Sequence, residues 1–172
     1  MEYFAHKNSC GELQTVICHL KNVAAIASDF SAEIFKPIAH ETGMLHDIGK
    51  YSAAFQRRLQ GSAERFEHST CGALECVRYA PNPRKRIEQY FIAYMMAYCI
   101  AGHHTGLPDG GTAADDPDND NTLQSRLKRK DRYYGSATSY SAYEDEVTVN
   151  IPCAEAVTDE LICSAKDNTE FI

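Results

Sequence analysis

Histidine is the residue type in this sequence best suited to chemistry. Five of the seven histidines are candidate ligands, and none of the five falls in a predicted exposed loop: His19, His46, His68, His103 and His104. Imidazole nitrogens and a carboxylate such as Asp47 together suit Mn, Fe, Co, Ni or Zn, and the chain has no C-x-x-C pair for a structural zinc site. The pattern therefore favours a catalytic metal site.

Three of these histidines belong to two doublets, each with a specific use. Side chains of adjacent helical residues point about 100° apart, so one ion would rarely take both His46 and Asp47. A carboxylate has two oxygens, so Asp47 can bridge two ions while His46 binds one of them. The tandem His103 and His104 can supply two nitrogens to one ion once the backbone leaves helical geometry at Gly102.

Lys50 follows the His-Asp doublet by one helical turn and admits two interpretations. It is either a cation at a helix end that faces the helix dipole, or a catalytic donor to a substrate phosphate oxygen near the metals. The two interpretations are compatible with each other.

Helices must position these residues, because apolar residues recur at three- and four-residue steps through the first hundred positions and clear strand-like alternation is absent. The predicted helices cover Glu12–Phe30, Ala32–His46, Ala53–Leu59 and His68–Tyr79. A fifth helix starts with Asn82 as cap and Pro83 at its first position. Its predicted inward-facing residues are Ile87, Phe91, Tyr94, Met95 and Tyr98. The fold class is therefore expected to be all-α.

The second half of the chain is predicted to be less regular. Residues 107–121 are rich in Gly, Pro, Asp and Asn and indicate an exposed loop, within a loop-rich segment over 107–151. At most a short strand is expected at Val147–Ile151, and a final helix over 154–167. The basic cluster Arg126, Lys128, Arg129 and Lys130 would either steer a nucleic-acid strand or form an ordinary solvated helix face, and the second interpretation is favoured.

Composition limits the class of protein. With 172 residues and 44% hydrophobic content, one domain over 1–172 is expected. A net charge of -7 is unusual for a nucleic-acid-binding protein, although two divalent ions would offset about four of those charges. The seven cysteines suggest buried, reduced thiols. No apolar run approaches the ~20 residues that span a bilayer, and the N-terminus lacks the pattern of a signal peptide. A cytoplasmic protein without a membrane partner is therefore expected.

Several segments, in order, resemble one known family. They are His46-Asp47-Ile48-Gly49-Lys50, then His68-Ser69 with Gly72-Ala73, then Gly102-His103-His104-Thr105-Gly106. Over roughly residues 1–150 the chain is similar to the HD nuclease domain of the CRISPR-associated helicase-nuclease of type I systems. The resemblance implies an HD-domain helical bundle that binds two divalent transition-metal ions and cuts single-stranded DNA by metal-activated water in antiviral defence.

The resemblance also implies a ligand set. His19, His46 and Asp47 would hold one ion, and Asp47, His68, His103 and His104 the other. A late aspartate would complete the first site, and Asp167 is the nearby candidate, although the closing segment is shorter than is usual in the family. The implied partners are single-stranded DNA, a CRISPR helicase module and an RNA-guided surveillance complex.

Two alternatives to the nuclease stay open at this point. One is an HD phosphohydrolase of small nucleotides, which would need a closed pocket, and the other is a catalytically inert docking module, which the short closing segment suggests. The chain has no G-x-x-x-x-G-K-[ST] loop, so it is not itself a helicase motor. Tyr133, Tyr134, Tyr140 and Tyr143 are expected to pack over an edge of the core more than to stack on bases.

Overall fold

The computed structural model describes residues 2–64 and 66–153 and shows a mostly helical chain. A short antiparallel hairpin of β1 (Phe4–Lys7) and β2 (Leu13–Thr15) precedes the helices. The α-helices are α1 (Val16–Phe30), α2 (Lys36–Leu45), α3 (Ala53–Leu59), α4 (Ser69–Arg78), α5 (Ile87–Gly102) and α6 (Leu123–Leu127). Four 3-10 helices lie at Glu33–Phe35, Ile48–Tyr51, Lys128–Tyr133 and Ser141–Asp145. The all-α class predicted from the sequence is confirmed at this level.

The hairpin corrects the prediction for the N-terminal region. Residues 13–15 were expected to be helical, but they form β2, and α1 starts at Val16 with the Thr15 hydroxyl accepting a hydrogen bond from the Cys18 backbone N–H. Gly11 has a φ of 86°, and the Asn8 side chain accepts from the backbone of Cys10 and Glu12 to close the turn. The strands are too short to show a period of two in the sequence.

Helices α1 and α2 pack against each other, α4 packs on α5, and α2 also contacts α5. The face of α1 that enters the core carries Val16, Leu20 and Ala24, each four residues from the next. His19 precedes Leu20 and so lies at the edge of this buried face. The packing therefore brings α1, the end of α2, the start of α4 and the end of α5 toward one region.

Helix α5 starts later than predicted and buries a different face. Asn82 caps a turn instead, where its side chain accepts from the Arg84 backbone N–H, and the helix begins at Ile87. The residues that face the core are Ile92, Ala93, Met96, Ala97, Ile100 and Ala101. Phe91 is 62% exposed and Ile87 is 42% exposed, so the predicted inward face is wrong for both.

The segment after α5 is partly as predicted. Residues 107–121 form a loop without helix or strand, and Val147–Ile151 is irregular rather than a strand, although Val147 and Ile151 are buried. Tyr133, Tyr140 and Tyr143 are buried in the core, as predicted, whereas Tyr134 is exposed. The final helix over 154–167 and its candidate ligand Asp167 lie outside the described residues.

Cysteine burial is mixed. Cys71 and Cys76 are buried, and burial raises the pKa of both thiols. Cys10, Cys18, Cys99 and Cys153 are exposed, so the prediction that the cysteines are buried is wrong for these four. Within residues 2–64 and 66–153, no helix combines the length and apolar character that crossing a bilayer requires.

Candidate metal centre

Asp47 is the centre of a buried cluster of imidazoles. It follows α2, is 2% exposed, and its carboxylate lies within 3.3 Å of a ring nitrogen from each of four histidines. The four are His19 from α1, His46 at the end of α2, His68 at the start of α4 and His103 at the end of α5. Residues far apart in the sequence therefore meet at a single carboxylate.

The histidines divide between the two oxygens of that carboxylate. His19 Nε2 and His46 Nε2 lie 3.0 and 3.2 Å from Asp47 Oδ2, and the two nitrogens are 3.2 Å from each other. This triangle of atoms faces the hairpin side of the cluster, where His6 is also close enough to contribute. The first set of donor atoms is thus His19, His46 and Oδ2.

The second set lies on the other oxygen. His68 Nε2 and His103 Nε2 are 3.2 and 3.3 Å from Asp47 Oδ1, and His104 Nε2 is 2.8 Å from His68 Nε2. Asp47, His68, His103 and His104 present four donor atoms that all lie within 4.8 Å of one another. His103 and His104 are the exposed members of this set, so the set opens to solvent on their side.

Two glycines of the sequence motifs allow this close approach. A Cβ on Gly49 would stand 2.5 Å from the backbone oxygen of His68, and a Cβ on Gly72 would stand 2.1 Å from the backbone oxygen of Leu45. Both distances are far below ordinary van der Waals contact, so any larger residue would push α4 away from the end of α2. The glycines therefore hold His68 beside Asp47.

Backbone carbonyls fix the orientation of two rings. His46 Nδ1 donates to the Gly43 carbonyl, and His103 Nδ1 donates to the Ile100 carbonyl, each at 2.7 Å. Because a carbonyl can only accept, each Nδ1 carries a proton, and a neutral ring then turns the lone pair of its Nε2 toward Asp47. This second contact is the arrangement that orients metal-binding histidines.

The residues present fit divalent ions on two counts. Asp47 Oδ1 is buried and has no hydrogen-bond partner among the described residues, which is costly for a carboxylate oxygen unless a cation lies against it. The adjacent donor atoms are 3.0 to 3.2 Å apart in the first set and 2.8 to 3.3 Å apart in the second. Ligands about 2.0 to 2.1 Å from a shared ion are separated by roughly this distance.

The electrostatics of the cluster match an ionised carboxylate. Burial alone would raise the pKa of Asp47, but the imidazoles of His103, His19, His46 and His68 hold it well below its usual range. Burial alone would lower the pKa of His103, but the adjacent Asp47 carboxylate raises it above its ordinary value. The cluster therefore favours the ionised form of the Asp47 carboxylate.

Lys50 lies beneath the carboxylate rather than on a substrate-facing surface. It is 3% exposed, and its ammonium contacts Asp47 Oδ2 at 2.8 Å and His6 Nε2 at 3.2 Å. The ring of Phe55 covers the ammonium on a third side. A substrate phosphate could reach this group only if the contact with Asp47 broke, so the predicted role as a phosphate donor does not match its position.

Sequence reasoning missed His6, which the hairpin brings into the cluster. Its ring packs edge-on against that of His19, and burial together with the nearby Lys50 ammonium lowers its pKa. It belongs to a second possible ligand group with His19 and Asp47. The only signal in the sequence was one more histidine near the N-terminus, in a region where no strand was expected.

The basic cluster predicted to contact nucleic acid is largely engaged with the protein itself. Arg126 is 5% exposed, and its guanidinium donates to the Ala101 carbonyl and to Thr105 Oγ1. Lys128 donates to carbonyls of the 107–121 loop, and Arg129 donates to the Pro117 and Asp120 carbonyls. Arg126 therefore stabilises the turn that follows α5. The candidate role of Arg126 as a nucleic-acid contact is therefore wrong. Lys130 is exposed on a different face, beside Tyr133 and Tyr134.

A cleft of about 410 Å³ opens beside the second ligand set. Its lining includes His68 and His104 from the cluster, together with Ser69, Arg58, Arg126 and Arg129. A comparison of the sequence with protein-family models gives no match, and a comparison with curated proteins gives none either. The chemistry of the centre therefore has to be argued from the residues that form it.

Proposed function

We propose that this chain is a metal-dependent phosphodiester hydrolase of the HD class, a nuclease that cuts single-stranded DNA with two divalent ions held at Asp47. The single observation that carries the proposal is the division of imidazoles between the two oxygens of one buried carboxylate. A carboxylate shared in this way suits a pair of ions better than one ion, because each oxygen has its own set of nitrogens. Mn, Fe, Co, Ni and Zn all accept such ligands.

The roles of the residues follow from their positions. His19, His46 and Asp47 would hold one ion, and Asp47, His68, His103 and His104 the other, with Asp167 as a candidate further ligand of the first. Two ions bound there would bring the pKa of a water molecule toward neutrality and stabilise the attacking and leaving oxygens of a phosphodiester. Lys50 offsets part of the buried negative charge and keeps Asp47 in place.

The open side of the centre supports a long substrate over a small one. His104 is exposed and lies at the edge of a cleft that carries arginines, whereas a small-nucleotide hydrolase would be expected to enclose its substrate. The motif segments around the ligands, which resemble CRISPR-associated HD nucleases, support a role in antiviral defence. The corresponding partners would be a helicase module and an RNA-guided surveillance complex, which would expose the single strand.

The test combines metal analysis with a choice of substrates. Purified protein, stripped of metal and then reconstituted with Mn or Ni, is analysed for bound ion and incubated with circular single-stranded DNA. We expect close to two equivalents of ion and loss of intact circles, and the same incubation with a panel of nucleotides and cyclic dinucleotides should give little turnover.

Two outcomes would overturn the proposal in different ways. Turnover of nucleotides without loss of DNA circles would assign the centre to a small-nucleotide phosphohydrolase. Fewer than one equivalent of bound ion after reconstitution would support an inert docking module instead. Parallel incubations with RNA and with duplex DNA would define the preferred polymer.

A further inference from the structure

The cleft beside His68 and His104 concentrates positive charge in an acidic protein. The chain has a net charge of -7, yet three guanidinium groups line this one cleft, with Glu67 as its acidic member. Glu67 already accepts hydrogen bonds from the Thr70 backbone N–H and the Tyr133 hydroxyl, each at 3.0 Å or less. The Glu67 carboxylate is therefore engaged by protein donors, and the charges that the cleft presents to a ligand are those of its arginines.

Arg58 is the cation best placed to act on a ligand. It lies in α3, its side chain is exposed, and its guanidinium has no hydrogen-bond or ion-pair partner within residues 2–64 and 66–153. Its neighbour Arg57 differs in this respect, because Arg57 is paired with Glu64 at 2.7 Å and does not line the cleft. Arg58 is therefore a cation of the cleft, whereas its neighbour Arg57 belongs to an ordinary surface ion pair.

Arg129 is a second cation that lines the cleft, and it lies close to other arginines. Arg129 uses its Nε and one terminal nitrogen on the Pro117 and Asp120 carbonyls, which fixes the guanidinium plane at the cleft. Burial lowers the pKa of Arg129, and the nearby charges of Arg132 and Arg126 lower it further. An anion bound in the cleft would relieve this repulsion between like charges.

We propose that Arg58 and Arg129 bind a backbone phosphate of single-stranded nucleic acid that flanks the bond being cut, on the His68 and His104 side of the centre. This inference rests on the proposed function and adds which surface carries the strand. It makes the enzyme selective for chains, because a small diester fills the metal centre but leaves the cleft empty. The chemistry recognised is a polynucleotide backbone and not a particular base.

The test compares two substrates and two variants. The Mn-reconstituted protein is assayed with a single-stranded oligonucleotide and with bis(p-nitrophenyl) phosphate, which has no flanking phosphate. In Arg58→Gln we expect kcat/KM for the oligonucleotide to fall about 3- to 10-fold, since the lost contact is an exposed ion pair. Activity on bis(p-nitrophenyl) phosphate should stay within about twofold of the unaltered chain.

Arg57→Gln is the matched control, because it removes the same charge one residue away from the cleft. It should leave both rates nearly unchanged. Fluorescence anisotropy with the same oligonucleotide gives an independent binding readout, and the slope of log affinity against log salt should decrease by about 0.7 in Arg58→Gln only.

The results separate the two proposals. Equal losses in Arg57→Gln and Arg58→Gln, or equal losses on both substrates in Arg58→Gln, would overturn the inference about the cleft. Failure of the reconstituted protein to hydrolyse either the oligonucleotide or bis(p-nitrophenyl) phosphate would instead contradict the proposed function. In that case the anisotropy comparison still decides whether the cleft binds a strand.

Discussion

Residues 2–64 and 66–153 contain two buried carboxylates with nearly equal burial and different surroundings. Asp47 is 2% exposed and Glu75 is 4% exposed. Glu75 accepts hydrogen bonds from the Tyr140 and Tyr143 hydroxyls, one on each oxygen, both at 2.8 Å. Asp47 is surrounded by imidazole nitrogens, and Oδ1 has no hydrogen-bond partner in the part of the chain that the structure describes.

The difference shows how a structural acid can be told from a candidate site. Both carboxylate oxygens of Glu75 accept hydrogen bonds from tyrosine hydroxyls, so protein groups alone stabilise its negative charge. The nitrogens around Asp47 include His46 and His103, whose protons are engaged on the opposite side of the ring with backbone carbonyls. Their lone pairs face a negative oxygen, and that arrangement is favourable only with a cation or an added proton between them.

The largest effect is expected from neutralising Asp47. Asp47→Asn removes the shared charge, so bound Mn should fall from about two equivalents to below one, and hydrolysis of single-stranded DNA should fall about a thousandfold or more. Elemental analysis and a cleavage assay measure the two effects.

Glu75→Gln is the matched change at the other carboxylate, and it should retain the metal while lowering thermal stability. Weakening the hydrogen bonds to the tyrosine hydroxyls should lower the free energy of unfolding by roughly 1 to 3 kcal/mol, which denaturant unfolding measures. Loss of metal in both variants at equal extent would erase the distinction between the two acids.

A smaller effect is expected at the exposed end of the centre. His104→Ala removes one nitrogen of the second set but leaves His68 and His103 in place, so affinity for one of the two ions should fall at least about 10-fold. A titration with Mn should then show one ion that binds tightly and one that binds more weakly. His40→Ala is the control, because His40 is exposed on α2, where its ring contacts Glu41. Equal weakening of both equivalents would contradict the division of ligands between the oxygens of Asp47.

The sequence predicted the helices that carry the centre because apolar spacing and turn residues mark them. It failed at α5, where nearly every residue from Ile87 to Ala101 is apolar or aromatic, so periodicity could not identify the buried face. The hairpin was missed because its strands have four and three residues, and of β1 only Ala5 is buried. Both errors arise where local pattern is weak and tertiary packing decides.

The candidate site was predictable to the extent that its residues occur in doublets and motifs. Asp47 and its histidines could be proposed from spacing, whereas His6 depends on a hairpin that the sequence did not indicate. Lys50 was a candidate donor to a substrate phosphate and Arg126 a candidate nucleic-acid contact, but both are buried and bonded to protein groups. Burial of a charged side chain depends on partners from distant segments, which a single sequence does not reveal.

The smallest effect concerns the alkaline behaviour of the tyrosines around Glu75. Burial, hydrogen bonding to Glu75 and the charge of Glu75 raise the pKa of Tyr143 above its ordinary value of 10.0. As pH rises above about 10, the unfolded chain loses this proton before the folded chain does, so the stabilisation is complete below pH 10 and is lost above it.

Tyr143→Phe should therefore reduce the loss of unfolding free energy above pH 10 by up to about 1.4 kcal/mol per pH unit, the contribution of one ionising group. Urea unfolding at a series of pH values measures the slope, with Tyr134→Phe as control because Tyr134 is 73% exposed. The Asp47 centre contains no tyrosine partner among the described residues, so metal content at pH 8 should be the same in both variants. An unchanged slope in Tyr143→Phe would show that the Glu75 carboxylate does not hold the tyrosine in its neutral form, and the contrast between the two acids would then rest on Asp47 alone.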